Sequence, residues 1–458
     1  MPQPKSPTPL QLETIVKARI QHNRLTALAT ACVLFIARGA HGQVATQTCD
    51  FLPNKIYLHG TTAVKPLIAV LGARLAALPT PYNLLYQQVD ACQAVPTVIE
   101  NGNISQRGAP HKYTLAPTTK NPDAYKDDTC TLNAGTIVTA DVGLADVYFS
   151  SCPNYFDGAL RDPTLNAAAP TAPGIDFLGP IQAMVFFTSQ SNFSSQYLLM
   201  EEAQSILACG TGAKIYPYVD PAQLNVYDHE GGFTNGVPLM TYDCLTLPTS
   251  YYPKSTSQAT FVVPSIFPQP ELEIITLVLS SINPTAAFGF VSGENYDEHR
   301  DTLKSLAIVG PGQGAGNKAY LPDSDATSTD RRNVRDGHYV IQGPLHMIAR
   351  VGADNVPTSP MAQRFINWMQ GKPGMPGEDP LPFNIIDIFA RTGVVPQCAM
   401  RVIRTSECGP FKPYQDPAPC GCYFESKATG LATPAGCTPC TSTPDCAAGR
   451  VCSFGFCE

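Results

Sequence analysis

The chain has 458 residues, of which 44% are hydrophobic and only 15% charged, with a net charge of −7 at pH 7. That is the composition of a folded globular protein with room for two or three domains, and without a Lys/Arg-rich run it offers no basic face to nucleic acid. With 35 Gly and 43 Pro, turns are frequent, and the surface rests on Ser, Thr, Asn and Gln.

The N-terminus reads as an export leader, residues 1–42. Lys17, Arg19 and Arg24 precede the apolar run "LTALATACVLFIA", and Ala40 and Gly42 suit cleavage before Gln43. A buried N-terminal helix and a lipid anchor on Cys32 are the alternatives. No other apolar run reaches the roughly 18 residues that a membrane span needs.

Beyond the leader, "IYLHG" is a short strand, and residues 63–78 form a helix with Val64, Leu67, Ile68, Leu71 and Leu75 at helical spacing. Pro66 falls in its first turn, where a missing N–H costs little. "YNLLYQQV" is the next strand, a polar, turn-rich segment leads to Cys130, and "GTIVTADVGLADVYFSSC" carries apolar runs up to Asp146. "GIDFLGPIQAMVFFTS" is a β-rich crossing. "SSQYLLMEEAQSILACG" reads as a helix capped by Ser194 or Ser195 and stopped by Gly210.

From Lys214 to Val309 strands alternate with helix candidates such as "PELEIITLVLSSI", a pattern that argues for open α/β sheets. "GHYVIQGPLHMIARV" is again strand-rich, "SPMAQRFINWMQG" a capped helix stopped by Gly371, "KPGMPGEDPLP" a loop, and "IIDIFARTG" a final helix. Glycine-rich "GPGQGAGNK" lacks the strand-to-helix setting and the Lys-Ser/Thr ending of a phosphate loop, so it reads as surface loop. Arg335, Asp336 and His338 in "NVRDGHY" form a hydrogen-bonded turn or reach a cleft.

Nine of the sixteen cysteines lie between Cys398 and Cys457. Such density in a small segment implies a disulfide framework built in an oxidising compartment. Candidates for pairing are Cys92, Cys130, Cys152, Cys398, Cys408, Cys420, Cys422, Cys437, Cys440, Cys446, Cys452 and Cys457. Zinc would need two close pairs, and only Cys437 and Cys440 make one. A tail this small is held by its crosslinks, as a protease-resistant knob or an attachment module.

Three polar features stand out. Gly60-Thr61-Thr62 opens a helix, where N–H groups, hydroxyls and the helix dipole could hold an oxyanion or Thr61 could simply cap its own helix. Asp146 follows an apolar strand, as a cap or an acceptor. "VYDHEGGFTNG" supplies His229, Gly232 and Thr234. Catalytic motifs are missing: there is no Gly-x-Ser-x-Gly elbow and no His-Glu-x-x-His helix.

Taken in order, "GTTAVKPL", "LLYQQVDACQAV", "ADVGLADV", "IQAMVFFTSQS", "AAFGFVS", "KSLAIVG" and "NVRDGHYVIQGPLH" resemble the type II periplasmic binding fold, in the phosphate-binding-protein-like branch that carries a cysteine-rich tail. The resemblance spans roughly residues 50–396. It implies an α/β two-lobed protein: lobe 1 from 50–172 plus 312–396, lobe 2 from 173–311, and a disulfide-rich module from 397–458. It implies no cofactor, no metal and no catalysis, a monomer, and a small oxyanion such as phosphate bound by Thr61, Thr62, Asp146, Gly232, Thr234 and His229. A membrane transporter or cell-surface partner would recognise the protein in the periplasm, at the surface or outside the cell.

Two positions depart from the family pattern. Val89-Asp90-Ala91-Cys92 stands where a Gly-Ser-Gly or Gly-Ser-Cys loop belongs, and Asp228-His229 replaces an Arg. A bidentate Arg contact to an oxyanion contributes about 1.5–3 kcal/mol, so its loss weakens capture. The departures keep two other readings open: an interaction protein with a degenerate cleft, and a secreted hydrolase using Asp146 and a His.

Overall fold

The computed structural model describes residues 48–89, 91, 94–99, 109–116, 124–132, 138–148, 160–161, 173–189, 196–201, 203, 225–228, 233–234, 237–238, 271–280, 287–312, 316–405 and 409–458. The leader, Asp90, Cys92, Cys152, Ser194, Ser195, Gly210, His229, Gly232 and Cys408 lie outside them, so the expectations placed on those residues are not addressed below. Thr48–Glu458 form one compact unit.

β1 (Lys55–Gly60) buries Ile56 and Leu58 completely. Thr61 then caps a 3₁₀ turn, Thr62–Val64, its hydroxyl accepting from the Ala63 N–H at 3.3 Å. α1 (Lys65–Ala76) follows, with Pro66 in the first turn. The helix is two residues shorter at each end than its apolar periodicity suggests, because the 3₁₀ turn takes Ala63 and Val64, and Ala77 already caps the other end.

β2 (Asn83–Gln88) and β5 (Val142–Ala145) flank β1, and both run parallel to it. α2 (Ala94–Ile99) packs against β5. The stretch expected to be polar and turn-rich contains two antiparallel strands, β3 (His111–Leu115) and β4 (Tyr125–Thr129). β4 is the edge of the sheet, where charged residues face solvent and blunt the edge, and its Asp127 is held by Lys65 at 2.9 Å and His111 at 2.7 Å.

Further strands follow, some of which complete an eleven-stranded mixed sheet while others form small two-stranded sheets. β6 (Leu160–Arg161) lies beside the start of β7 (Gly174–Ser189), which is 16 residues long. β8 (Tyr197–Leu199), β9 (Asn225–Asp228), β10 (Phe233–Thr234) and β11 (Val237–Pro238) are short. α3 (Glu271–Leu279) precedes β12 (Ala287–Ser292), and α4 (Gly293–Asp297) follows it. β13 (Leu303–Ser305), β14 (Ala307–Val309), the helical turn α5 (Arg332–Arg335) and β15 (Gln342–Arg350) come next. The sheet order is β4-β3-β2-β1-β5-β15-β7-β12-β9, with β6 and β13 also on β7.

β7 joins the two ends of this sheet. Gly174–Ala183 pair with β15, and Met184–Thr188 pair with β12. Every residue from Gly179 to Ser189 is buried, which explains why the sequence shows a continuous apolar run instead of alternation. This is a mixed α/β fold with a small disulfide-rich C-terminal module.

One helix starts later than expected. Tyr197–Leu199 form β8, parallel to β14, and helical residues begin only at Met200. An apolar run as short as "YLLM" fits either period, and pairing with Ala307–Val309 decides it.

α6 (Pro360–Met369) starts at Ser359, whose hydroxyl accepts from Ala362 N–H and donates to Asp141 at 2.5 Å. α7 (Ile385–Thr392) is capped by Asn384 and ended by Gly393 at φ 82°. The short strands β16 (Val402–Ile403) and β17 (Lys412–Pro413) lead to α8 (Gly421–Thr429), and the chain closes with the hairpin β18 (Cys452–Ser453) and β19 (Phe456–Cys457).

The tail does more than crosslink itself. α8 packs on α7, and Phe424 and Cys420 are fully buried in the main core. Arg335, nearly buried, donates to Glu425 at 2.9 Å and to the Ala399 carbonyl, so "NVRDGHY" is a structural tie between body and tail. His338 stacks on Tyr320. The bridges Cys398–Cys420, Cys422–Cys437, Cys440–Cys452 and Cys446–Cys457 fill out the framework. Cys130 pairs with Cys49, which the sequence reading did not consider as a partner.

Two outcomes follow. A Cβ at Gly60 would stand 2.0 Å from the Leu144 carbonyl oxygen, so Gly60→Ala should destabilise the protein by about 1–3 kcal/mol in urea titration, as overpacking against rigid backbone does. Asp445 accepts N–H bonds from Thr441 and Ser442 and the Thr441 hydroxyl, which lowers its pKa to about 2. Its contribution to stability is therefore present above the ordinary carboxylate value and is lost as pH falls through about 2. A carboxyl carbon NMR titration midpoint near the usual 3.8 would contradict these bonds.

Candidate functional site

The candidate site begins with the direction of three strands. β1, β2 and β5 are parallel, so their C-terminal ends share one edge of the sheet. After β1 the chain moves to the β2 side, whereas β5 adjoins β15 on the other. The carboxyl ends of β1 and β5 therefore form a switch point, the position where open α/β sheets leave a crevice.

Gly60 pairs with Leu144, so Thr61 and the turn that Thr62 opens leave β1 on the edge where Asp146 follows β5. Thr61 donates its N–H to the Leu144 carbonyl at 3.1 Å. Thr61 and Asp146 are buried, at 1% and 4% exposure, while Thr62 is half-exposed.

Tyr86 on β2 orients the turn. Its buried hydroxyl donates to the Thr61 carbonyl and lies 3.3 Å from the Gly60 carbonyl, which also accepts from Val89 N–H at 2.8 Å. In a trans peptide the C=O and the next N–H point in opposite directions. Drawing the Thr61 carbonyl back toward Tyr86 thus aims the Thr62 N–H away from β2. The Ala63 N–H is already taken by Thr61 Oγ1. Thr62 is left with its hydroxyl and its N–H in no hydrogen bond among the described residues.

The far side of the turn is acidic. β12 and α4 pack against Thr62–Val64, and α4 carries buried Glu294, which accepts from Gln182 Nε2 at 2.5 Å. Lys65, the nearest lysine along the chain, is paired with Asp127. Beside Ala145 in the sheet stands His346, whose Nδ1 lies 2.6 Å from Asp176 Oδ2, with the Tyr148 ring edge-on at 4.5 Å. The sequence reading missed Tyr86, Glu294 and His346. A Tyr in an apolar strand looks like core, and the other two are brought near only by long-range pairing.

Behind α4 lies a buried charge network. Arg331, fully buried at φ 49°, donates to Asp323 at 2.7 Å, to Asp297, and to the Gly393 carbonyl at 2.9 Å. Arg300 reaches Asp323 at 2.6 Å and Asp297 at 2.7 Å. Burial works against the charge on Arg331, but Asp297 and Asp323 outweigh it and raise its pKa. Burial pushes the Asp297 carboxyl up despite both arginines. Two cations meet two carboxylates here, so the network serves structure and leaves no cation over for a ligand.

Of the other sequence candidates, Thr234 lies in β10, paired with Val237. Cavities of 440 and 460 Å³ lie elsewhere, beside α6, α7 and the C-terminal hairpin, and Thr61, Thr62 and Asp146 line neither. No helix among the described residues is long and apolar enough to cross a membrane. Cys440, Cys446 and Cys457 lie close together, but each is in a disulfide, so none offers a thiolate to a metal.

No protein-family model matches the chain, and no curated protein matches it. Among solved structures it is similar to an ABC-type phosphate transport receptor from Vibrio cholerae, at 12% identity over 75% of this chain and 100% of that one, with a TM-score of 0.38. It is also similar to a phosphate binding protein from Stenotrophomonas maltophilia, at 11% identity over 75% and 90%, TM-score 0.35. A third is an OxyR mutant from Corynebacterium glutamicum, at 12% identity over 79% and 73%, TM-score 0.30. At such identity no residue role transfers from them.

Removing only the Tyr86 hydroxyl tests the geometry of the turn. Tyr86→Phe should cost about 1–2 kcal/mol in urea titration, since buried carbonyls lose a donor. It should also speed amide exchange at Thr61 and Thr62, and unchanged exchange would show that another contact sets the turn.

Proposed function

We propose that the protein is an exported solute-binding protein that captures a small oxyanion, phosphate being the ligand class of choice, at the mouth formed by Thr61, Thr62 and Asp146. The observation that supports this reading is the parallel pairing of β1 with β5, whose C-terminal ends, leading to Thr61-Thr62 and to Asp146, share a switch point. Donors from Thr62 would bind unprotonated oxygens. Asp146 can accept the proton of a monohydrogen oxyanion and repels one that carries none, so it selects phosphate over sulfate.

Ligand would enter between two lobes, residues 50–172 with 312–396 and residues 173–311, with the two chain crossings near 172 and 312 as the hinge. His229, Gly232 and Thr234 would complete the site from the second lobe. A closed form would be what a membrane transporter or surface partner recognises. The protein acts in this reading as a monomer, without cofactor or catalysis.

One observation favours a second reading, an interaction protein with a degenerate cleft. Thr61 spends its hydroxyl on its own turn, and buried Glu294 lies on the helix that packs against that turn. An anion would have to overcome that field.

Titration calorimetry of the mature protein with phosphate, arsenate and sulfate separates the two. Heat with phosphate and arsenate but not sulfate is expected. Silence with all three at millimolar ligand would leave the interaction protein. Thr62→Val should reduce phosphate affinity by about tenfold or more, equivalent to one charge-assisted hydrogen bond, and unchanged affinity would remove Thr62 from the site.

A further inference from the structure

The hairpin that ends the chain turns through Phe454 and Gly455, at φ 50° and 81°. Two successive residues of positive φ make a type I′ turn, which favours Asn-Gly. An aromatic residue is strained there, and such strain persists only where surrounding structure enforces it. Cys440–Cys452 and Cys446–Cys457 clamp the two strands of the hairpin. The ring they hold out is still 43% exposed, resting on Tyr423 at 5.4 Å.

Phe454 stands between two chambers. One, of 440 Å³, lies between α7 and the tail, with Phe389 as an apolar wall and Gln370 and Gln397 at its edge. The other, of 460 Å³, lies along Pro380–Ile385 and contains Trp368. They share Gly371, Lys372, Asn384, Ile385 and Phe454, so together they make one long groove with the exposed ring midway. Each chamber is in the size range of small-molecule sites, and junctions between modules are where such sites concentrate.

The lining indicates the class of occupant. Lys372 donates to Gln370 at 2.9 Å, and Asp416 accepts from the Tyr414 hydroxyl at 2.9 Å and the Ala418 N–H at 2.8 Å, so both charges are engaged. Asn384 is engaged too, by the Ile386 N–H and the Tyr423 hydroxyl, and Gln397 donates to the Gly179 carbonyl at 3.0 Å, so what remains is one amide atom each of Gln370 and Gln397 and aromatic face. A sugar chain presents hydroxyls at its rim and C–H groups on its faces, which match amides and a flat ring respectively. An elongated ligand is also what two chambers joined end to end accept.

We propose that this groove binds a neutral oligosaccharide, with Phe454 as its stacking platform and Gln370 and Gln397 as hydroxyl partners. The strained turn is then the means of holding the ring in the open. The site is separate from the oxyanion mouth and does not rest on it.

The chain contains a single tryptophan, Trp368, in the wall of one chamber. Its fluorescence in the full disulfide-bonded protein reports occupancy directly. Titration with cello-, malto-, xylo- and chito-oligosaccharides should give a saturable change with at least one series, and phosphate should not compete. Phe454→Ala should weaken that binding about tenfold or more. Phe454→Asn, which suits the turn better, should raise the melting temperature while weakening binding equally, so loss of binding cannot be put down to unfolding. The proposal is overturned if no saccharide changes the fluorescence at millimolar concentration, if both variants bind like the parent, or if proline-rich peptides and not sugars prove to occupy the groove.

Discussion

The approach of β1 to β5 at Gly60 is the constraint on which the upper edge of the sheet depends. With the Leu144 carbonyl 2.0 Å from where a Cβ would be, only glycine lets the two strands pair through their last residues. That pairing keeps β1 straight to Thr61, lets the Thr61 N–H reach Leu144, and delivers the chain into α1 with Thr62 facing outward. A side chain at residue 60 would part the strands where their ends form the crevice. The site geometry is thus a consequence of sheet packing.

The rest of the molecule holds that edge from two directions. From below, β7 runs through the sheet and pairs with β15 and β12 in turn, so a shift at one end is transmitted to the other. From the side, α4 packs on the turn, and its Asp297 is pinned by Arg331 and Arg300. Arg331 also reaches the C-cap of α7, on which α8 packs. The network is balanced in charge and well bonded, the condition under which buried ions are tolerable. It places the tail in mechanical contact with the candidate site, so the cysteine-rich segment is part of the body's framework.

Much of this was legible in the sequence for physical reasons. The β1–turn–α1 unit shows itself through Gly60, the two threonines and a strongly apolar helix. β7 shows itself as a long apolar run, and α6 and α7 through Ser359, Asn384 and Gly393 at their ends. The cysteine tail follows from count and spacing. What escaped was long-range or two-valued. Cys49 carries no local mark that it will meet Cys130 across 81 residues. β3 and β4 look like loop because both carry charge, as suits β4 at the edge of the sheet and its neighbour β3. β8 looks helical because three residues cannot display a period. At the candidate site, Thr62 and Asp146 could be named from their settings, but Glu294 could not, since only folding brings α4 against the turn.

Glu294 changes what the mouth can accept. A buried carboxylate on the helix that packs against the turn adds to the acidity that Asp146 brings to this edge of the sheet, and Gln182 supplies one donor to Glu294. If the proposed site holds, an incoming oxyanion would have to bring its own proton to Asp146 or find compensating N–H groups, and Thr62 offers few. Selectivity for a protonated oxyanion and weakness of binding would then have one cause. The acidity that would exclude a fully ionised competitor would also raise the energy of the favoured ligand, because carboxylates act on both through the same low-dielectric surroundings.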